Sequence, residues 1–332
     1  VIFVTGATGL LGNCIVREIL ARGESVRALR RRGTSGEPFQ GISTEPGVNL
    51  EFVEGDLSCP ERLLRAVEGC RAVVHSAAYI HIGWSHLNQS RMVNVQGTRN
   101  VIQACLARQS RLIHVSTVDT FPAARSIDRP INERSSQSEG VSKVPCSYVI
   151  SKSEADSAVR DAVHHRSLDA SIVHPGFMLG PYDWKPSSGR LMLGVSRAPL
   201  AVAPEGGCSL CDARDVAAGT VTAISRGVTG QSYILAGENL TYRQLWRLIR
   251  QTTGRGGPVV CSKMVLRMVG WTCTAFQRIL PAWEGDVNGA AIAMGRLGHY
   301  YSSAKAQTEL AYTNRPIADT LSDAWQWLNQ RF

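Results

Sequence analysis

The sequence predicts an α/β fold: a doubly wound parallel sheet of Rossmann type, followed by a smaller, mostly helical C-terminal substrate lobe. Three observations predict it. A strand over Ile2–Thr5 runs straight into a glycine-rich turn and a helical stretch, Leu10–Ala21. Short Val-rich runs then alternate with amphipathic stretches, the pattern of parallel strands joined by right-handed crossovers and covered on both faces. After Gly176 the rhythm changes to a Gly-, Pro- and Ser-rich stretch, then to helical periodicity.

The elements follow in order. Strands are expected at residues 25–29, 50–53, 72–75, 111–116 and 170–174, with helices over 59–68, 92–107 and 148–164. A strand at 232–235 rejoins the sheet. This places a dinucleotide-binding domain at 1–176 with 211–236 returning, and a substrate lobe at 177–210 and 237–332. Segment 264–280 is apolar on one face; it reads as a packed amphipathic helix, with a membrane-surface helix as the alternative.

A chain of 332 residues exceeds what one core usually covers, in keeping with a large domain and a lobe. Its 44% hydrophobic and 19% charged residues are globular proportions. No uncharged apolar run is long enough for a membrane span, and no signal peptide precedes the first strand. The chain opens inside a strand, so an initiator Met and a short leader are expected before it. The formal charge of +9 suits an anionic cofactor. Basic residues are dispersed apart from Arg27 and the run Arg30-Arg31-Arg32. No basic stripe is interleaved with aromatics, which argues against nucleic acid. Nine cysteines, an odd number, suit reduced thiols in a cytoplasm. Cys208 and Cys211 lack a second pair and read as buried thiols. No cluster has metal-ligand spacing, so no metal is expected.

The strongest local signal is Thr5-Gly6-Ala7-Thr8-Gly9-Leu10-Leu11-Gly12. Gly6 permits the tight turn, Gly9 lets backbone approach a pyrophosphate, and Gly12 lets the helix pack close to the sheet. Unpaired N–H groups at the helix start then face the anion. NAD-binding chains place an acid roughly 20 residues further on, at the ribose 2′-hydroxyl. Here Arg30 and Arg31 stand there, and guanidinium pairs with a 2′-phosphate. NADP(H) is therefore expected over NAD(H). Asp56 can accept from an adenine amino group and Leu57 can pack on the ring. Ser76, Ala77 and Ala78 are small enough to let a cofactor lie across the sheet edge.

Tyr148 and Lys152 fall on one helix face. A free phenol, with a pKa near ~10, is a poor acid–base group at neutral pH; a neighbouring ammonium is expected to lower it. Lys152 can also hold the nicotinamide ribose. Tyr148 then exchanges a proton with a substrate oxygen while hydride moves. Thr117, with Ser116 second, is expected to orient that oxygen. His81, Trp84, Asp119, Tyr182 and Lys185 are candidate pocket residues. Arg214 and Asp215 are read as ties between the returning chain and the dinucleotide-binding domain, and His114 and His174 as satisfied core histidines.

Together these residues resemble the extended short-chain dehydrogenase/reductase family, over most of the chain. The glycine turn, Gly55-Asp56-Leu57, Ser76-Ala77-Ala78, Asn94-x-x-Gly97-Thr98, Ser116-Thr117, the Tyr148/Lys152 pair, Arg214-Asp215-Val216-Ala217 and Tyr233-Ile234-Leu235 stand in that family's order. Residues 175–181, 185–190, 237–241 and 301–306 are most similar to dihydroflavonol-4-reductase-like enzymes and hopanoid-associated sugar epimerases. The resemblance implies that Thr117, Tyr148 and Lys152 are catalytic. It implies that Asn94, Val115, Ser116, Pro175, Gly176, Phe177 and Met178 border the cofactor, and that Arg31 lies by the 2′-phosphate. Family habit implies a homodimer. The family often has Ser at the Thr117 position, and its sugar-nucleotide members often carry Arg and Asn where this chain reads Val173-His174-Pro175-Gly176-Phe177. The expected activity is hydride transfer between NADP(H) and a medium-sized apolar ketone, aldehyde or secondary alcohol, of dihydroflavonol-reductase or 3β-hydroxysteroid-dehydrogenase kind. A nucleotide-sugar epimerase or dehydratase with tightly held cofactor is the first alternative. A non-catalytic NADP(H) sensor is the second.

Overall fold

The computed structural model describes residues 1–42, 46–135, 138–140, 143–255, 259–260 and 288–332. The expected helix at 264–280 lies outside them. The chain begins β1 (Ile2–Thr5), α1 (Leu10–Ala21), β2 (Val26–Arg30), β3 (Leu50–Glu54), α2 (Pro60–Ala66) and β4 (Ala72–His75). A helical run follows: α3 (Leu87–Ser90), a π-helical stretch Arg91–Gln96 and α4 (Gly97–Arg108). Then come β5 (Arg111–Val115), α5 (Ser147–Arg166), β6 (Ala170–Pro175), β7 (Phe177–Leu179), α6 (Gly189–Arg197), β8 (Ala201–Val202), β9 (Gly207–Asp212), α7 (Ala213–Arg226) and β10 (Ser232–Leu235). The last described elements are β11 (Glu238–Thr241), α8 (Tyr242–Thr252), β12 (Val259–Val260), α9 (Gly289–Gly295), β13 (Gly298–His299), α10 (Ala304–Leu310) and α11 (Ile317–Arg331).

Seven strands form one parallel sheet in the order β10-β6-β5-β4-β1-β2-β3. Every residue of β1, β4 and β6 is buried, because helices cover both faces and leave no strand a wet side. One face packs on α1, α7 and α10 through Ile15, Ile19, Val216, Val221 and Leu310; the other packs on α2, α4 and α5 through Leu63, Val101, Ile102 and Val159. The chain reverses its direction of travel across the sheet between β1 and β4. A crevice opens there, at the strand C-termini.

Two departures from the sequence pattern have physical causes. The helix expected from residue 59 starts at Pro60, whose missing N–H costs nothing in a first turn. The helix expected at 92–107 carries a π-helical stretch, where Asn94 leaves the regular spacing and turns its side chain to Tyr79. The region after Gly176 also holds a second sheet: β11 and β13 flank β9, and β7 pairs with β9 as well. β7 and β13 are too short to show a period in the sequence, and β9 is buried along its whole length and so does not alternate.

Candidate active site

The turn after β1 is built by backbone. Gly6 has φ +73, and a Cβ there would meet the Ala77 nitrogen at 2.6 Å. A Cβ on Gly12 would collide with the Gly6 carbonyl oxygen. Gly9 is exposed, and a Cβ there would meet only the Gly6 oxygen, at 3.4 Å. Gly6 and Gly12 are thus required by the protein's own packing, whereas Gly9 leaves its open side to a ligand. Helix α1 begins at Gly9 with no side-chain cap and no acid in its first turn, so its leading N–H groups face the crevice unopposed. This fits a diphosphate. The Leu10 and Leu11 side chains are core, so only their backbone is available to an anion; Thr8 is half-buried.

At the end of β2, Arg30 lies with its guanidinium over Phe52 and 3.6 Å from Glu54. Arg31 is exposed and makes no side-chain hydrogen bond or ion pair among the described residues. Asp56 accepts from the Ser58 amide at 2.7 Å and from its hydroxyl, and these bonds lower its carboxyl below the usual range. Leu57 does not lie open to an adenine. It is buried against the place where Gly97 lacks a side chain. At the end of β4, Ser76 and Ala77 are half-buried and Ala78 is exposed.

Asn94 is likewise spent on the fold: it accepts from the Tyr79 amide and donates to the Tyr79 carbonyl and to Ser151, at 2.7, 2.9 and 2.9 Å. Pro175 ends β6. Gly176 follows, where a Cβ would meet the Ser209 carbonyl oxygen at 2.6 Å. Phe177 and Met178 are half-buried beyond it.

Helix α5 presents Tyr148 in its first turn and Lys152 one turn later. The Lys152 ammonium donates to the Val115 carbonyl at 2.7 Å. Burial pulls it down to about 8, while Asp156 pulls it back up. The sequence expects Lys152 to acidify Tyr148, but the structure biases the phenol the other way. Burial first, and then the Asp119 charge, push Tyr148 up, and a hydrogen bond with Thr117 pulls it back in part. The reason is where the charges lie: Lys152 is turned to Val115, with Asp156 as its counter-charge. Thr117 is 7% exposed; its hydroxyl donates to Asp119 at 3.0 Å and accepts from the Asp119 amide at 3.2 Å.

Ser116 faces away from the crevice and donates to Asp156 at 2.8 Å, which removes it as an orienting hydroxyl. Burial alone would raise Asp156. The His114 contact and the charges of His174, His114 and Lys152 hold it well below the usual carboxylate range. His174 is satisfied by Thr117, Thr120 and Ser232. His114 is not: it meets Asp156 only through a bent 3.3 Å contact, and neither ring nitrogen has a well-aligned partner. Burial lowers both histidines to about 4.

The structure brings together Thr117, Asp119, Tyr148 and Lys152, and adds His299, which the sequence did not single out. His299 lies 3.1 Å from Asp119. Of the other pocket candidates, His81 lies against the start of α5, its carbonyl accepting from the Ser147 hydroxyl at 2.9 Å. Tyr182, at φ +73, carries the Arg17 guanidinium on its ring at 4.1 Å and packs edge-on to Trp327. Lys185 is exposed. His81 stacks on His86 at 4.5 Å and meets Ser85 at 3.2 Å, and Trp84 is 45% exposed. Arg214 and Asp215 tie the chain to its C-terminal part: Arg214 pairs with Asp212 and Asp323, and Asp215 with Arg315. Cys208 and Cys211 are free buried thiols, and among the described residues no group of ligands has metal geometry. No helix among these residues is long and apolar enough to cross a membrane.

Known proteins place this arrangement in context. The profile of the NAD dependent epimerase/dehydratase family matches residues 2–236. The chain is 28% identical over 337 residues to sterol demethylase protein B of Methylococcus capsulatus, covering 99% of this chain and 98% of that one. It is 29% identical over 260 residues to 4-hydroxy-2-methyl-3-oxo-4-farnesyl-3,4-dihydroquinoline-1-oxide ketoreductase of Stigmatella aurantiaca, covering 76% and 73%. The crystal structure of gox2253 superposes with a TM-score of 0.82 at 30% identity, covering 99% and 98%.

Proposed function

From the premise that this chain belongs to the NAD-dependent epimerase/dehydratase family, within the extended short-chain dehydrogenases/reductases, we propose that it interconverts an apolar ketone or aldehyde and its alcohol with NADP(H). The observation that carries the proposal is that α5 sets Tyr148 beside Thr117 at the end of β5, near enough for Thr117 to act on its ionisation. Tyr148 delivers a proton to the substrate oxygen in reduction and takes it back in oxidation. Thr117 holds that oxygen against Tyr148. Lys152, braced by Val115, keeps a positive charge beneath the site. A bound nicotinamide supplies or accepts the hydride.

Gly6, Thr8, Gly9 and Gly12, with the backbone of Leu10 and Leu11, cradle the diphosphate. Arg30 and Arg31 take the 2′-phosphate, Asp56 the adenine edge, and Ser76 to Ala78 and Pro175 to Met178 the rest of the dinucleotide. Arg31 supports the NADP(H) choice best, since it is exposed and no carboxylate among the described residues forms an ion pair with it, although Asp56 feels its charge. Residues 177–210 and 237–332 serve as the substrate lobe. Phe177 and Met178 suit an apolar ligand, whereas Met192 is core. The two relatives named for a sterol and for a farnesylated ring point to ring-bearing isoprenoid substrates. A homodimer in the cytoplasm is the setting we propose.

The test is a screen of NADPH oxidation against steroid, flavonoid and terpenoid ketones, with nucleotide sugars alongside. Turnover of an apolar ketone with NADPH supports the reading. Tightly held oxidised cofactor, no cofactor consumption and turnover of a nucleotide sugar would replace it with the epimerase reading.

A further inference from the structure

His299 comes from β13, far along the chain from Tyr148, and its position is fixed on two sides. Strand β13 pairs with β9, and the Gly298 carbonyl accepts from the Ala124 amide at 2.7 Å. A Cβ on Gly298 would meet the Ala124 oxygen at 2.9 Å, so the close approach needs glycine. Next door, the Tyr300 carbonyl accepts from the Ile131 amide at 3.0 Å. These contacts deliver the His299 ring to Asp119.

The two contacts of the ring bias its charge. Nε2 lies 3.1 Å from the Met294 carbonyl, which can only accept, so Nε2 carries a proton. Nδ1 lies 3.1 Å from an Asp119 carboxylate oxygen, in a bent contact, and a carboxylate also only accepts. A proton on Nδ1 as well makes the ring an imidazolium, the form that the Asp119 charge favours. Burial opposes this charge, but the Asp119 contact outweighs it and raises His299 above the usual histidine value.

Asp119 acts on Tyr148 in two ways. Its charge disfavours a phenolate nearby. It also accepts the Thr117 hydroxyl proton, at 3.0 Å, and so competes with the Thr117 contact that pulls the phenol down. Both keep Tyr148 as a phenol that donates. His299 offsets the first effect by neutralising Asp119.

We propose that His299 and Asp119 form a positioning pair that sets the acid strength of Tyr148 through Thr117. The pair rests on the reading of Tyr148 as the acid–base group. The other groups facing these residues are Cys146 and Asp156 at Tyr148, the Tyr301 ring at His299, and Tyr242, Tyr301 and Cys146 around Asp119. The cation of the site, Lys152, is turned to Val115 with Asp156 as its counter-charge, so removing His299 takes away the cation paired with Asp119.

The experiment follows Tyr148 ionisation by fluorine NMR in protein made with difluorotyrosine, a more acidic phenol. The signal is identified by its loss in Tyr148→Phe, and no substrate is needed. Asp119→Asn should move the titration to lower pH by roughly one unit, the size expected for removing one nearby charge. His299→Gln should move it to higher pH by a similar amount, and the double variant should return towards the parent. In the unlabelled parent, His299 should titrate above 6.5 by proton NMR, a readout that survives if either variant fails to fold. Shifts of the same sign in both variants, no shift in either, or an ordinary His299 titration would overturn the pair. Turnover that survives Tyr148→Phe would instead sink the proposed role of Tyr148, and leaves the electrostatic coupling to stand or fall on the titrations.

Discussion

The glycine turn and the proton-transfer site share one crevice but are made of different material. The turn is backbone: its shape depends on the missing Cβ atoms of Gly6 and Gly12, and its charge on uncapped N–H groups of α1. The proton-transfer site is side chain: Thr117, Asp119, Tyr148, Lys152, Asp156 and His299 converge from β5, α5 and β13. The first is fixed by torsions within a few residues. The second is fixed by charges held in place by packing. Each should therefore fail in its own way when altered.

The largest expected effect separates chemistry from binding. Tyr148→Phe removes the proton donor and should lower kcat by about 10²–10⁴-fold, with NADPH affinity and thermal midpoint little changed. Steady-state kinetics with fluorescence titration of NADPH checks this. A variant that keeps parental kcat breaks the assignment.

Within the turn, two glycines should behave oppositely. Gly6→Ala forces a left-handed φ and a clash with Ala77, and should destabilise by about 3 kcal/mol. Gly9→Ala meets ordinary contact, so stability should change by less than about 1 kcal/mol while cofactor affinity falls about tenfold or more. Urea unfolding and NADPH titration of both variants decide it. Equal effects on stability would mean that the turn does not single out Gly9 for the ligand.

The side-chain region should be the acid-sensitive one. Burial holds His114 and His174 at about 4 in the fold, against 6.5 for an unperturbed imidazole. Between those values the unfolded chain binds more protons, so stability is full above 6.5 and is lost as pH falls towards 4. Each group contributes on the order of 3 kcal/mol. Asp156, held below 3.8, adds a further loss below that pH. His299 is raised, so its contribution runs the other way, present at low pH and lost as pH rises through its folded value. Urea midpoints from pH 7 to 4 should fall steeply; a flat profile contradicts neutral buried imidazoles.

The smallest effect concerns the cofactor's far end. Replacing Arg30 and Arg31 with Ser should lower the preference for NADPH over NADH by about 10–100-fold, or about 1.4–2.8 kcal/mol, with kcat kept. Competition titrations measure it. Because Glu54 already engages Arg30, Arg31→Ser alone should account for most of the change.

Much of the backbone region was legible beforehand. Strands β1 and β4 and helix α1 fall on the residues that hydrophobic runs and glycines mark, and β10 rejoins the sheet where its apolar run predicts. The side-chain region was half legible. Spacing on one helix put Tyr148 beside Lys152, but no local rule states that Lys152 turns to Val115, that Ser116 turns inward to Asp156, or that Asn94 is spent on Tyr79. Tyr182 was a candidate pocket residue; the Arg17 and Trp327 contacts that occupy it come from both ends of the chain.

The sequence by itself determined the order of the strands and helices and the turn between β1 and α1, because φ, ψ and the presence of a Cβ are properties of one residue and its neighbours. It also marked Tyr148, Lys152 and Thr117 as candidates for chemistry. Only the tertiary structure decided the electrical state of that chemistry. The phenol, the ammonium and the imidazolium take their protonation from burial and from partners distant in sequence, and His299 meets Asp119 only after β13 has docked between Ala124 and β9.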